Sequence, residues 1–111
     1  MKYPKFIVLK DLQGNIEIRF GLVEFHSYLI LPEDKKFSKK CIGGGLIELV
    51  DSKSEIWFYG HSDDFGRVED NILNNIKLNS QNFYELQYIA ENYFHTKVKD
   101  FLKFKFVVKD F

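Results

Sequence analysis

Polar and apolar residues alternate with a period of two over Ile16 to Phe20: Ile16, Ile18 and Phe20 share one parity, and Glu17 and Arg19 take the other. That is the pattern of a half-buried strand. Before it, Lys5 to Leu12 is a short apolar run that ends at Gln13-Gly14-Asn15, residues that tolerate a tight turn. A two-residue loop at Gln13-Gly14 predicts a hairpin with Lys10 opposite Glu17, Leu9 opposite Ile18 and Ile7 opposite Phe20. The alternation breaks at Gly21-Leu22-Val23, which predicts a bulge. Val23 to Leu29 is expected to resume as a strand, and Pro32 to Lys40 to be a polar loop. Cys41 to Val50 reads as a third strand carrying Gly43, Gly44 and Gly45. Asp51 to Ser54 reads as a four-residue turn, and Glu55 to His61 as a fourth strand. That turn pairs Val50 with Glu55, Glu48 with Trp57, Leu46 with Tyr59 and, further along, Gly44 with His61.

After the connector Ser62 to Arg67 the period changes. Val68, Ile72, Leu73 and Ile76 recur at helical spacing. Asn82, with Glu85 three residues on, has the spacing of a helix start. Phe83, Leu86, Ala90, Tyr93 and Phe94 then form one stripe of a second helix. Leu102, Phe104, Phe106 and Val108 alternate with Lys103, Lys105, Val107 and Lys109 as a last strand. The order β-β-β-β-α-α-β predicts an α+β fold with a mainly antiparallel sheet of about five strands and two helices on one face. Residues 1–111 are expected to form a single compact domain.

Composition narrows the classes of function. Apolar residues are 45% of the chain and aromatic residues 17%, enough for a packed core, so disorder is excluded. Lys plus Arg and Asp plus Glu are 16 each, so no global field favours nucleic acid or an anionic membrane. Lys97, Lys99, Lys103, Lys105 and Lys109 share a parity and read as a solvated or guarded edge. The single cysteine excludes an internal disulfide and a cysteine-based zinc cage. No apolar run reaches signal-peptide or membrane-span length, so the expected location is cytoplasmic. Nothing in the sequence calls for a cofactor or a metal.

Candidate chemistry gathers around the glycine run. In the predicted register, Gly43, Gly44 and Gly45 lie beside His61 and Ser62, with Asp63 and Asp64 next in the chain, so bare backbone meets imidazole, hydroxyl and carboxylates. Gly43, Gly44, Gly45, His61 and Ser62 form a candidate ligand site, with His61, Asp63, Asp64 and His26 as candidate catalytic groups. Glu24 and Tyr28 join His26 if the strand is regular there. The plainer readings are a glycine bulge and polar residues that cap a turn or helix. Cys41 reads as a small core residue. Asp64-Phe65-Gly66 spells a kinase triplet by chance in so short a chain, and the glycine run lacks the Lys-Ser/Thr of a phosphate loop.

The third and fourth strands are apolar on both parities. Ile47, Leu49, Ile56 and Phe58 take one face, and Leu46, Trp57 and Tyr59 the other. Two helices cover one face, so the second is expected to be an interface. The leading expectation is therefore a small non-enzymatic binding module that acts as a homodimer through Leu46, Trp57 and Tyr59 and has a protein or small-molecule partner. A small hydrolase or lyase with a His/Asp site near residues 61–64 is the alternative. A protein that sequesters a phosphorylated ligand with Lys39, Lys40 and the glycine amides is a third.

Overall fold

In a computed structural model, which describes residues 1–110, five strands form one sheet: β1 (Tyr3–Lys10), β2 (Ile16–Val23), β3 (Lys40–Val50), β4 (Glu55–Tyr59) and β5 (Lys105–Val108). Their spatial order is β2-β1-β3-β4-β5. Neighbours are antiparallel except β4 and β5, which run parallel because α2 (Asp70–Asn74) and α3 (Ser80–Asn92) carry the chain back across the sheet. The architecture is α+β with a mostly antiparallel sheet. No helix among the described residues is long and apolar enough to cross a membrane.

The β3–β4 hairpin has the register that its four-residue turn predicts, with Val50 opposite Glu55, Glu48 opposite Trp57 and Leu46 opposite Tyr59. The β1–β2 hairpin differs from expectation by one residue. Val8 pairs with Ile18, Phe6 with Phe20 and Ile7 with Arg19. The loop is longer than Gln13-Gly14: Asp11 closes it by accepting the Gln13 and Asn15 amides at 2.9 Å each. The shift puts Ile18 and Phe20 on the face of Phe6 and Val8, where one core collects them with Ile47, Ile56, Phe58, Leu73, Leu86 and Ile89.

The helical segments also depart from the expected order. Val23 to Leu29 does not continue as a strand, since His26–Leu29 is a 3-10 turn. The expected loop after Pro32 begins with a short helix, α1 (Pro32–Lys36). Proline at the first helical position and the Asp34 carboxylate, which accepts the Leu31 amide at 2.7 Å, explain why that polar stretch coils. The longer helix starts at Asn79, not Asn82. Asn79 accepts the Asn82 amide at 3.0 Å while Asn82 accepts the Asn79 amide at 3.2 Å. The last strand is shorter than its alternation, because Phe101–Lys103 forms a 3-10 turn capped by Asp100.

Residues 24–40 cover the β1–β2 part of the second face, while the β3–β4 part, where an open apolar face is expected, stays half-buried at Leu46, Trp57 and Tyr59. The covering segment folds over β1 and β2 on the side away from α2 and α3 and leaves Ile7 and Leu9 at most 1% exposed. Leu29 Cδ2 fills the space beside Gly21, and the Arg19 guanidinium is clamped by both Asp34 oxygens at 2.6 Å. Only the β4 end of that face stays partly open.

Candidate functional site

On this second face, strand β3 offers bare backbone at Gly44, and the His26 ring rests on it. A Cβ on Gly44 would stand 2.6 Å from the Phe6 carbonyl oxygen and 2.9 Å from His26 Cδ2. The glycine therefore seats the imidazole. Gly43 and Gly45 serve packing instead. Gly43, at φ +152°, sits where the β1–β3 register slips, and a Cβ there would meet the Val68 backbone nitrogen at 2.9 Å. On Gly45 it would meet the Tyr59 carbonyl oxygen at 2.5 Å.

His26 is 9% exposed, and its Nε2–H donates to the Gly45 carbonyl at 2.9 Å. A carbonyl only accepts, so the proton of the neutral ring sits on Nε2 and Nδ1 keeps a lone pair. Among the described residues Nδ1 bonds to nothing, yet no buried side-chain nitrogen or oxygen there lacks a partner, so Nδ1 reaches the surface of a cavity. Burial is the largest influence on the ring and holds its pKa below the ordinary histidine value. The Gly45 bond opposes this, Lys5 adds to it, and Asp63 and Asp64 oppose it.

The cavity measures about 320 Å³ and joins His26 to Lys5, Glu24, His61, Ser62, Asp63 and Asp64. Lys5 comes from β1, two residues before Ile7 on the same face, and its ammonium donates to the Glu24 carbonyl. The far wall is a tight turn. Ser62 and Gly66 exchange two backbone bonds at 3.2 and 2.8 Å, and Ser62 Oγ accepts the Phe65 amide at 3.2 Å. The Gly66 carbonyl in turn accepts the Gly44 amide at 3.1 Å and ties the turn to the glycine strand. The structure thus brings His61, Ser62, Asp63 and Asp64 to His26. Strand pairing ends at Leu46–Tyr59, however, so Gly44 faces His26 rather than the expected His61. His61 is exposed, 3.5 Å from Asp63, and Ser62 caps the turn instead of a helix. Lys5 escaped the sequence reading; the available signal was a lone cation beside the most apolar strand of the chain.

Other candidates fall elsewhere. Lys39 donates to Glu17 at 2.7 Å and lies on the far side of Arg19, while Lys40 pairs with Lys10 at the strand end. Cys41 is half-buried, its thiol directed at the Gly43 carbonyl at 3.5 Å, and burial pushes its pKa up, so it stays protonated. A larger cavity of about 440 Å³ opens beside β2, but apart from the exposed Glu33 its charged groups have partners: Arg19 pairs with Asp34 and Glu17, Lys39 with Glu17, and Glu85 accepts from Asn82. Leu46, Trp57 and Tyr59 share the face of the His26 cavity and are half-buried. The Trp57 ring lies under Lys109 Nζ at 4.3 Å, and its Nε1–H donates to Glu55 at 3.0 Å.

A protein-family model described as Ocnus, of the Janus/Ocnus family, matches residues 21–87, more than half of the chain. That span holds His26, the glycine run and the Ser62–Gly66 turn. No curated protein matches the chain.

Proposed function

The chain belongs to the Janus/Ocnus family, and we propose that it is a hydrolase acting on a phosphoryl group, with His26 as the reacting residue. One observation carries the reading: a buried, neutral imidazole has one nitrogen fixed on a backbone carbonyl and the other presented to a cavity that also holds a lysine. The Gly45 bond sets the tautomer, so the Nδ1 lone pair is formed before any ligand arrives. A ring held below the usual histidine pKa keeps that lone pair at neutral pH. Nδ1 either takes the proton of a water whose oxygen attacks the phosphorus, or attacks the phosphorus itself and is freed when water cleaves the resulting phosphorus–nitrogen bond; in both routes the bond to the leaving group breaks, the leaving oxygen takes a proton from solvent or the imidazolium, and phosphate is released. Lys5 binds the phosphoryl oxygens as a compact positive charge. The exposed Asp63-Asp64 turn lines the same cavity.

The rival reading is a non-enzymatic module that pairs with a second copy through Leu46, Trp57 and Tyr59. The half-burial of these side chains supports it; the lysines packed on Trp57 weigh against it. Turnover of 4-nitrophenyl phosphate separates the two. His26→Ala is expected to lower the rate by about 10²–10⁴-fold with an unchanged circular dichroism spectrum, and Lys5→Ala to act mainly on KM. A rate that survives His26→Ala overturns the hydrolase reading.

A further inference from the structure

The imidazole of His26 hangs at one end of a short bar laid across the sheet. The 3-10 turn His26–Leu29 packs on β1 and β2. Gly44, Ile7 and Arg19 are cross-strand partners on β3, β1 and β2, so their side-chain positions form one row on this face. The turn spans that row. His26 rests on Gly44 at one end, and Leu29 lies over β2 at the other, its Cδ2 beside Gly21. Two internal bonds shape the turn: the Tyr28 amide donates to the Phe25 carbonyl and the Ile30 amide to the Ser27 carbonyl, each at 3.1 Å. Neither fixes where the turn lies on the sheet.

Arg19 supplies that anchor at the Leu29 end. Its Nη1 donates to the Leu29 carbonyl at 3.1 Å and to Asp34 at 2.6 Å, Nη2 to the second Asp34 oxygen at 2.6 Å, and Nε to Glu17 at 2.8 Å. Four bonds in one plane leave the guanidinium a single orientation. Asp34 passes the hold on. Its carboxylate accepts the Leu31 amide at 2.7 Å, and its carbonyl accepts the Lys39 amide at 2.7 Å. One side chain thus fixes the chain on both sides of Ile30, where the 3-10 turn ends and α1 is about to begin. A buried ion pair contributes little net stability compared with apolar side chains of the same volume, so selecting one arrangement is its better use.

We infer that Arg19 is a positioning residue for His26: by gripping the Leu29 carbonyl and, through Asp34, the Leu31 amide, it sets the 3-10 turn where the imidazole meets the Gly45 carbonyl and presents Nδ1 to the cavity. The inference rests on the hydrolase reading and adds to it a residue that touches no substrate, since Arg19 does not line the His26 cavity. A displacement of about 1 Å at a reacting group costs on the order of a hundredfold in rate, so an anchor at the far end of the turn acts on the chemistry.

The test uses the double variant Arg19→Met, Asp34→Leu in the full chain, which fills the same space without the charges or the bond to Leu29. Long-range nitrogen–proton correlation spectra read the histidine tautomers, and turnover of 4-nitrophenyl phosphate reads the chemistry. Wild-type His26 is expected in the single Nε2–H form at neutral pH. In the double variant a mixture of both neutral tautomers is expected, with kcat lowered about 10–100-fold and KM within about twofold of the wild type, because Lys5 is untouched. Arg19→Lys, whose ammonium lacks the planar fork, is expected to fall between the two, and it carries the test should the double variant not fold. Leu73→Ala is the control: it removes a buried side chain from the helix-covered face and is expected to lose stability while keeping the tautomer and kcat. The wild-type tautomer and kcat in the Arg19 variants overturn the positioning role, and so does a Leu73→Ala variant that loses the tautomer to the same degree. A wild type that does not turn over 4-nitrophenyl phosphate overturns the hydrolase reading alone, because the tautomer populations still decide whether Arg19 sets the ring.

Discussion

The two faces of the sheet are built from different chemistry. Under α2 and α3 the face is apolar apart from Asn82, which donates to the Ile18 carbonyl at 2.9 Å: Phe58 is fully buried, with the Phe6 ring edge-on at 5.0 Å and Phe20 stacked at 6.2 Å. The opposite face buries Ile7 and Leu9 beside polar groups, namely Arg19 at 8% exposure, Asp34 at 3% and His26 at 9%. The first face gains by removing apolar area from water and asks only for shape and volume. The second works only if each polar group finds its partner. Arg19 finds Asp34, and His26 finds Gly45; the His26 Nδ1, which bonds to nothing among the described residues, is where the proposed chemistry occurs. The contrast puts the apolar core on one face and the proposed site on the other.

Truncation tests that contrast most strongly. Phe58→Ala should cost about 3–5 kcal/mol in urea unfolding, through lost transfer energy and a residual cavity. Asp34→Ala should cost less, about 2–3 kcal/mol, for another reason: it leaves the buried Arg19 guanidinium with Glu17 and the Leu29 carbonyl as its remaining partners. Removing the charge as well separates the two mechanisms. Arg19→Met together with Asp34→Leu should recover most of the loss, whereas no second substitution that leaves the Phe58 cavity empty should rescue Phe58→Ala. A double variant as unstable as Asp34→Ala alone would break the comparison.

A smaller effect is expected where the faces meet through strand β3. Gly44→Ala should cost about 1–3 kcal/mol, because the new methyl presses on the Phe6 carbonyl, which the β1–β3 pairing fixes, and on the His26 ring. It should also lower turnover per folded molecule, since the imidazole must move off its seat. A destabilised variant with the wild-type kcat would show that the seat matters for packing alone.

The smallest effect is the response to acid. His26 is held below its ordinary value by burial, so the folded protein prefers the ring neutral. Its contribution to stability is complete above about pH 6.5, the unfolded value, and declines as the pH falls through the folded one. Asp34 is held below the carboxylate range chiefly by its hydrogen bonds to Arg19, so its contribution persists to lower pH and is lost only below about 3.8. The wild type minus His26→Gln difference in urea midpoint should therefore change between neutral and mildly acid pH, and the Asp34-dependent part only in strong acid. A His26-dependent difference that stays flat from pH 7 to 4 would contradict the burial of the ring.

The helix-facing half was legible because burial on one side leaves a period in the sequence. Ile47, Leu49, Ile56 and Phe58 share a parity and a hairpin register, and the structure keeps both. Residues 24–40 were not legible. His26 and Asp34 carry no period, and their partners, Gly45 and Arg19, are 19 and 15 residues distant. The glycine run was a visible signal, but it pointed along the hairpin to His61, when the ring seated on Gly44 arrives from the other side of the chain.

By itself the sequence determined the α+β class, the β3–β4 pairing, the apolar stripe of α3 and the concentration of candidate groups at residues 61–64, because each depends on neighbours within a turn, a hairpin or a helix repeat. The one-residue setting of β1 on β2, the covering of the β1–β2 part of the second face, the tautomer of His26 and the meeting of Lys5, Glu24, His26 and the Ser62–Gly66 turn at one cavity were decided by the tertiary structure. These depend on which distant groups satisfy a buried hydrogen bond or charge, and no local pattern encodes the answer.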